Sequence, residues 1–141
     1  MEREADQCAD ICEILATSGM VDFQSLPVTH IVNTMEKVHQ MFHSAMDVFL
    51  SHDVEQARKI CAEDDIVDAS FGKIVLEVCN AITQNPENVM RDVDLLFIIK
   101  YVERMGDHAT NIAEWVIYMV TGHHPDLNEG DNEAESTPQQ V

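Results

Sequence analysis

Basic side chains are scarce in this sequence of 141 residues, in which eight lysines and arginines stand against 26 aspartates and glutamates. The resulting formal net charge of −18 repels phosphate backbones and therefore disfavours nucleic-acid binding. Glycine and proline are also few, with five and four residues, and aromatic residues make up only 6% of the chain. This composition lacks the turn residues of a β-sandwich and favours an all-helical protein. Hydrophobic residues, at 45%, suffice for the core of one domain.

Long hydrophobic runs are missing as well. The two longest candidates, VDLLFIIKYV and NIAEWVIYMV, contain Lys100 and Glu114, and neither approaches the ~20 residues of a membrane-spanning helix. The N-terminal residues MEREADQCAD are acidic and polar, unlike a secretion signal. The four cysteines form no CxxC pair and fall within helical patterns. These features predict a cytoplasmic protein with reduced thiols and no transmembrane segment.

Capping residues and helix breakers divide the sequence into helices. Gly19 can form a left-handed cap after the first helix, and Pro27 suits the first turn of the second. Asp53, with Gln56 three residues later, has the pattern of a capped helix start, and Gly122 ends the last periodic segment. Four helices are predicted, at about residues 2–17, 26–52, 54–84 and 87–120.

The lengths of these helices indicate the fold. Three long helices joined by short loops predict an antiparallel three-helix bundle, preceded by a short extra helix. Residues 1–18 then form a remnant-like N-terminal helix, and residues 19–122 form the bundle. Residues 123–141 contain five acidic residues, no basic ones and no apolar period, which predicts a disordered acidic tail.

The third predicted helix carries two aspartates on an otherwise apolar stripe. Positions three and four residues apart give the stripe Ala57, Cys61, Asp64, Asp68, Phe71, Val75, Val78 and Ile82. Six of these eight side chains suit a buried helix face. Asp64 and Asp68 are four residues apart, so both carboxylates lie on one side of the helix.

The last predicted helix has the same feature. Glu103 interrupts its apolar stripe, Asp107 lies one turn further on, and Asn111 follows one turn after that. Both groups lie near the middle of their helices, and the midpoints of antiparallel neighbours lie side by side. We therefore expect Glu103 and Asp107 to converge with the two aspartates of the third helix.

Four converging carboxylates need a counter-charge, because burying an unpaired charge costs several kcal/mol. Arg104 and Lys73 are too few and wrongly placed to neutralise them. A hard cation, or a small cluster of iron, manganese or zinc ions, would resolve the repulsion. A solvated acidic face, common in so acidic a chain, is the alternative, and the spacing alone does not decide between them.

Other chemical motifs are weaker. Glu36 and His39 have the ExxH spacing of ferritin-like di-iron ligands, but that design needs two such motifs in four full helices. The adjacent His123 and His124 in the tail could bind a metal weakly. No GxSxG motif, glycine-rich phosphate loop or Cys/His catalytic pairing is present.

The segment YVERMGDHATNIAEWVIYMVTG, residues 101–122, strongly resembles the signature helix of the PhoU family of phosphate-uptake regulators. The family motif places an acid and an Asp four residues apart in the context E-R-x-G-D, with Asn or Asp four residues later. Glu103, Asp107 and Asn111 match those positions. The resemblance implies that these residues are metal ligands.

The resemblance extends over about residues 26–122. The family's second motif, acid-x-x-x-Asp on the preceding helix, is matched by Asp64 and Asp68, which the resemblance implies are also metal ligands. PhoU-like proteins contain two similar three-helix bundles, each with a site for iron- or zinc-like ions. The resemblance therefore implies a divalent or trivalent metal cofactor, including a multinuclear iron or zinc cluster. It also implies that the chain is equivalent to the C-terminal half of such a protein.

The functional expectations follow from this resemblance. PhoU-like proteins damp phosphate uptake and the phosphate-starvation response, and the resemblance implies a cytoplasmic, non-enzymatic adaptor for a phosphate ABC transporter and a membrane histidine kinase. A homodimer would cover a face that a missing bundle leaves exposed. The alternatives are a cytoplasmic regulatory domain of a phosphate transporter and a carboxylate-bridged metalloenzyme.

Overall fold

A computed structural model describes residues 2–18 and 25–123 of the chain. The four helices in these ranges are α1 (Glu2–Thr17), α2 (Leu26–Ser51), α3 (Val54–Gln84) and α4 (Val89–Thr121), with a one-turn 3₁₀ helix at Pro86–Asn88. The described ranges contain no β-strand. The prediction of an all-α protein is therefore confirmed.

The three long helices form an antiparallel bundle, as predicted from their lengths. Helix α4 packs against α2 and α3, which also pack against each other, and α1 lies against α4. Buried aliphatic side chains from all four helices form one core. None of the described helices combines the length and the apolar character that a membrane span requires.

Local chemistry explains where the helices begin and end. Asp53 precedes α3 and accepts a hydrogen bond from the Gln56 backbone N–H at 3.0 Å, as the capping pattern predicts. Gly122 ends α4 with a φ of 74°, a left-handed conformation that costs glycine little. The predicted Gly19 cap, the boundary after residue 18 and the tail from residue 124 lie outside the described residues.

The last helix begins slightly later than its sequence suggests. The expected start was near Glu87, but Pro86–Asn88 form a 3₁₀ turn and α4 starts at Val89. The Asn88 N–H donates to the Asn85 carbonyl oxygen at 3.0 Å, which tightens this turn. Pro86 has no N–H to donate and suits the start of such a turn.

The buried face of α3 differs from the predicted stripe. Its buried residues are Ala57, Ile60, Val67, Ile74 and Val78. Because α3 packs against both α2 and α4, its core face centres between these two neighbours. The aspartates consequently lie at the edge of the core, where Asp64 is half-buried and Asp68 is exposed.

Candidate metal centre

Acidic side chains from two packed helices meet near the middle of the bundle. Asp64 and Asp68 come from α3, and Asp107 comes from α4. One carboxylate oxygen from each of the three lies within 4.8 Å of the other two, the only such group of His, Cys, Asp and Glu in the described residues. The convergence follows from the four-residue spacing on α3 and the contact between the antiparallel helices.

The core under this aspartate cluster is closely packed at Gly106. A methyl group on Gly106 would lie 3.4 Å from Val67 Cγ1, 3.6 Å from Val38 Cγ2 and 4.0 Å from Asp64 Oδ1. The Asp64 Oδ1 atom is buried and has no hydrogen-bond partner among the described residues. An unpaired buried carboxylate oxygen is costly, and a cation ligand would remove that cost.

The pKa of Asp64 is raised above its ordinary value of 3.8, chiefly because burial disfavours the charged form. Repulsion from Asp68 and Asp107 adds to the increase, while a hydrogen bond from the Thr110 side chain opposes it. The Thr110 hydroxyl also lies 3.2 Å from the Gly106 carbonyl oxygen. Among these influences the Thr110 hydrogen bond is second only to burial, so Thr110 offsets part of the increase in the Asp64 pKa.

The pKa of Asp107 is also raised above 3.8, again mainly by burial. The next causes are repulsion from Glu103 and from Asp68, and the attraction of Lys100 acts in the opposite direction. Two of the three aspartates therefore take up a proton more readily than a free aspartate does. The pKa values of Asp64 and Asp107 are raised for the same reason, because negative charge is unfavourable where side chains are partly shielded from water.

Glu103 and Asn111, also predicted as ligands, have different surroundings. The Glu103 carboxylate lies 2.5 Å from the Lys100 ammonium and is outside the group of three aspartates. The same ammonium lies 5.3 Å from the centre of the Phe71 ring. Asn111 is exposed on α4. The assignment of all five residues as metal ligands stays a prediction.

Lys100 and Thr110 are the residues near the site that sequence reasoning missed. The three-residue spacing between Lys100 and Glu103 was the available signal, because side chains so spaced are neighbours on a helix. Thr110 offered no comparable signal, since its contact with Asp64 depends on how α3 and α4 pack.

The three aspartates fit a hard cation. Carboxylate oxygens are ligands preferred by Mg²⁺, Ca²⁺, Mn²⁺ and iron ions, and a positive charge at this point would offset the repulsion that raises the two pKa values. The exposure of Asp68 leaves one side open, through which water ligands and the ion can enter. Asp64, whose Oδ1 atom is buried without a hydrogen-bond partner in the described residues, belongs to the same cluster.

Comparison with known proteins shows where this arrangement belongs. A relative from Clostridium acetobutylicum, a phosphate-specific transport system accessory protein PhoU homolog, is 31% identical over 92% of this chain and 58% of its own length. A protein of the same description from Pseudomonas aeruginosa is 31% identical over 86% of this chain and 50% of its own length. The chain spans about half the length of the curated relatives it matches.

The fold and the domain match give the same result. The crystal structure of PhoU from Pseudomonas aeruginosa aligns with a TM-score of 0.70 and 30% identity, over 85% of this chain and 56% of that one. The PhoU domain itself matches residues 31–116, which is more than half of the sequence and contains all three converging aspartates. By this match, the chain belongs to the PhoU family.

Proposed function

We propose that this chain is a cytoplasmic, non-enzymatic regulator of phosphate uptake and of phosphate-starvation signalling, and that it acts as a metal-binding helical adaptor. The observation that carries the proposal is the cluster of three aspartates in a PhoU domain. Its relatives are described as accessory proteins of phosphate-specific transport systems, which supports a phosphate transporter as the partner. A membrane histidine kinase is the proposed second partner, through which the starvation response is damped.

In this proposal Asp64 and Asp68 hold a divalent or trivalent cation from the α3 side, and Asp107 holds it from α4. When bound, the cation supplies positive charge that offsets carboxylate repulsion and links the two helices. The surfaces of α3 and α4 are then held at a fixed angle for docking, so metal occupancy changes affinity for the partner. The family resemblance favours iron or zinc ions, in a cluster of more than one ion.

Elemental analysis of purified protein tests the metal site. We expect bound metal in the wild type and its loss in Asp68→Asn, which removes a ligand from an exposed position and leaves the core intact. Asp65→Asn is the matched control, because Asp65 is an exposed aspartate on the same helix, outside the cluster. Glu103→Gln should lose less metal, since Glu103 is paired with Lys100. Metal-free wild type, or equal loss in Asp65→Asn, would contradict the site.

The regulatory role is tested in a bacterial strain that lacks its own PhoU-family protein. Expression of the chain should lower phosphate uptake and a phosphate-starvation reporter in phosphate-rich medium, and Asp68→Asn should do so less. Unchanged uptake and reporter levels at normal protein abundance would refute the regulatory proposal and leave the metal site standing. Metal-dependent phosphoester hydrolysis by the purified protein would instead favour an enzyme.

A homodimer is part of the proposal because several large apolar side chains near the end of α4 face solvent. Trp115 is 58% exposed, Met119 51% and Val120 50%. Such side chains gain free energy when a second surface covers them. Light scattering at micromolar concentration should give twice the chain mass, and a strict monomer would contradict this part.

A further inference from the structure

Potential metal ligands also line a cavity of about 420 Å³ between α1, α2 and α4, away from the aspartates. Most of its lining is apolar, including Phe42 and Met105. Three side chains in the lining carry a thiol or an imidazole, namely Cys8 from α1 and His39 and His43 from α2. All three residues are exposed, so an ion in solution can reach them.

The two histidines are one helical turn apart and already face each other. Their Nε2 atoms are 3.1 Å apart, and their ring centroids are 4.5 Å apart. Two zinc–nitrogen bonds of about 2.0–2.1 Å at a tetrahedral angle place their nitrogens about 3.3 Å apart. The Nε2–Nε2 distance between His39 and His43 is therefore close to that of two histidine ligands on one tetrahedral ion. A direct hydrogen bond between the rings, one donating and one accepting, is the competing explanation.

We propose that His39, His43 and Cys8 bind a borderline-soft divalent transition-metal ion of the Zn²⁺ class. Imidazole and thiolate ligands select such ions, whereas the carboxylates of the aspartate cluster suit hard ones. At least one histidine nitrogen is farther than 4.8 Å from the Cys8 sulfur, so the exposed Cys8 side chain turns towards the pair on binding. Water fills the fourth position.

The site has a structural consequence for α1. In the described residues α1 packs against α4 and makes no comparable contact with α2. An ion held by Cys8 and the two histidines ties α1 to α2 across the cavity. The net charge of −18 further favours cation binding, because it raises the cation concentration near the surface.

Calorimetric titration of reduced, untagged protein with Zn²⁺ tests the proposal, with excess Mg²⁺ present to occupy the aspartate cluster. We expect saturable Zn²⁺ binding in the wild type that persists in Asp68→Asn, which disrupts the aspartate cluster. His39→Ala and His43→Ala each remove one ligand. Each should raise the dissociation constant for Zn²⁺ by about 10–100-fold or more. Both positions are exposed on a helix, where alanine is well tolerated, and circular dichroism checks the fold.

Two controls separate this site from other metal-binding groups. The double variant His123→Ala/His124→Ala removes the adjacent histidines of the C-terminal segment and should bind Zn²⁺ as the wild type does. Asp68→Asn should also retain the site. If Asp68→Asn abolishes Zn²⁺ binding while the His39 and His43 variants keep it, the ion belongs to the aspartates and the proposal is overturned. If the wild type shows no saturable Zn²⁺ binding, the hydrogen bond between the two histidine rings is the remaining explanation of their contact, and the proposal is overturned as well.

Cobalt substitution tests the thiolate ligand. The Co²⁺-loaded wild type should show the intense visible bands of a tetrahedral ion and a thiolate-to-cobalt charge-transfer band. Cys8→Ser should lose the charge-transfer band, while the matched variant Cys12→Ser, on the same exposed helix, should keep it. A wild-type spectrum without that band, or one that is equal in Cys8→Ser, would overturn the three-residue site.

Discussion

Replacing Asp64 by asparagine should stabilise the metal-free protein at neutral pH and destabilise the metal-loaded one. The substitution keeps the shape of the side chain and removes one of three converging negative charges. It also keeps an oxygen that can accept a hydrogen bond from Thr110. Because a buried polar atom remains in the same place, the main change is electrostatic.

The size of the effect follows from the spacing of the carboxylates. Two unit charges 4.8 Å apart, the limit within which the three carboxylate oxygens lie, repel by ~0.9 kcal/mol in a dielectric like water and by ~3.5 kcal/mol at an effective dielectric constant of 20. Asp68 is exposed, so its pair with Asp64 lies near the lower value, while the pair with half-buried Asp107 lies higher. We expect a gain of about 1–3 kcal/mol at low ionic strength, which shrinks as salt screens the exposed pair.

The gain should depend on pH in a defined direction. The pKa values of Asp64 and Asp107 are raised above 3.8 in the folded protein, so the folded state binds more protons than the unfolded state between 3.8 and the raised values. The wild type therefore loses stability as pH rises through this window. Asp64→Asn lacks one of these groups, and its advantage should be small below pH 3.8 and full above the raised pKa values.

Urea unfolding followed by circular dichroism measures the free energy of unfolding for each variant. Each protein is measured once with a chelator and once with saturating Mg²⁺. With Mg²⁺ the wild type should be more stable than Asp64→Asn. Asp65→Asn is the charge-matched control, since Asp65 is the neighbouring exposed aspartate and the smallest contributor to the raised pKa of Asp64. It should gain less than Asp64→Asn.

Two results would refute this reasoning. Equal gains in Asp64→Asn and Asp65→Asn would mean that relief of net charge, rather than of the cluster, is responsible. Loss of stability in metal-free Asp64→Asn at neutral pH would mean that the carboxylates do not repel one another as the geometry implies.

Two further substitutions test the packing of α4. Gly106→Ala should raise the free energy of unfolding by about 0.5–1 kcal/mol, since the new methyl group meets its neighbours at ordinary contact distances, the nearest at 3.4 Å; destabilisation in urea unfolding would show that the contact is too tight. Ser18→Ala removes a 2.6 Å hydrogen bond to Asp94 and should cost about 1–2 kcal/mol. If Ser18→Ala accelerates amide exchange more in α1 than in α3, the lost stability belongs to α1. Unchanged exchange in α1 would contradict the prediction.

Much of the fold follows from local chemistry in the sequence. Asp53 and Gly122 mark helix ends because capping and a left-handed backbone need particular side chains at particular places. The start of α4 was predicted less well, because a helix and a 3₁₀ turn after Pro86 satisfy nearly the same local preferences. In the structure the hydrogen bond from the Asn88 N–H to the Asn85 carbonyl oxygen closes the 3₁₀ turn, and α4 begins after it.

The candidate site was predictable only in part. The four-residue spacing indicates that Asp64 and Asp68 share a side of α3, and the antiparallel arrangement brings them to Asp107. Spacing does not reveal whether Glu103 points towards the aspartates or pairs with Lys100. Asp107 and Lys100 are four and three residues away from Glu103 on the same helix, so its side chain can approach either one. It also placed the aspartates within the core stripe, whereas contacts with two neighbouring helices moved that stripe towards Val67.

The position of the aspartates at the edge of the core is what suits them to a cation. In a fully buried cluster the carboxylates would take up protons, since desolvation raises the pKa of an acid by several units, and the proton would compete with the metal. In a fully exposed cluster, water would screen the repulsion and little free energy would be gained on binding. Asp64 and Asp107 are buried enough to be strained as anions, and Asp68 keeps the entrance open. In the proposed metal site, this balance favours reversible binding of an ion, whose occupancy would then report on conditions around the protein.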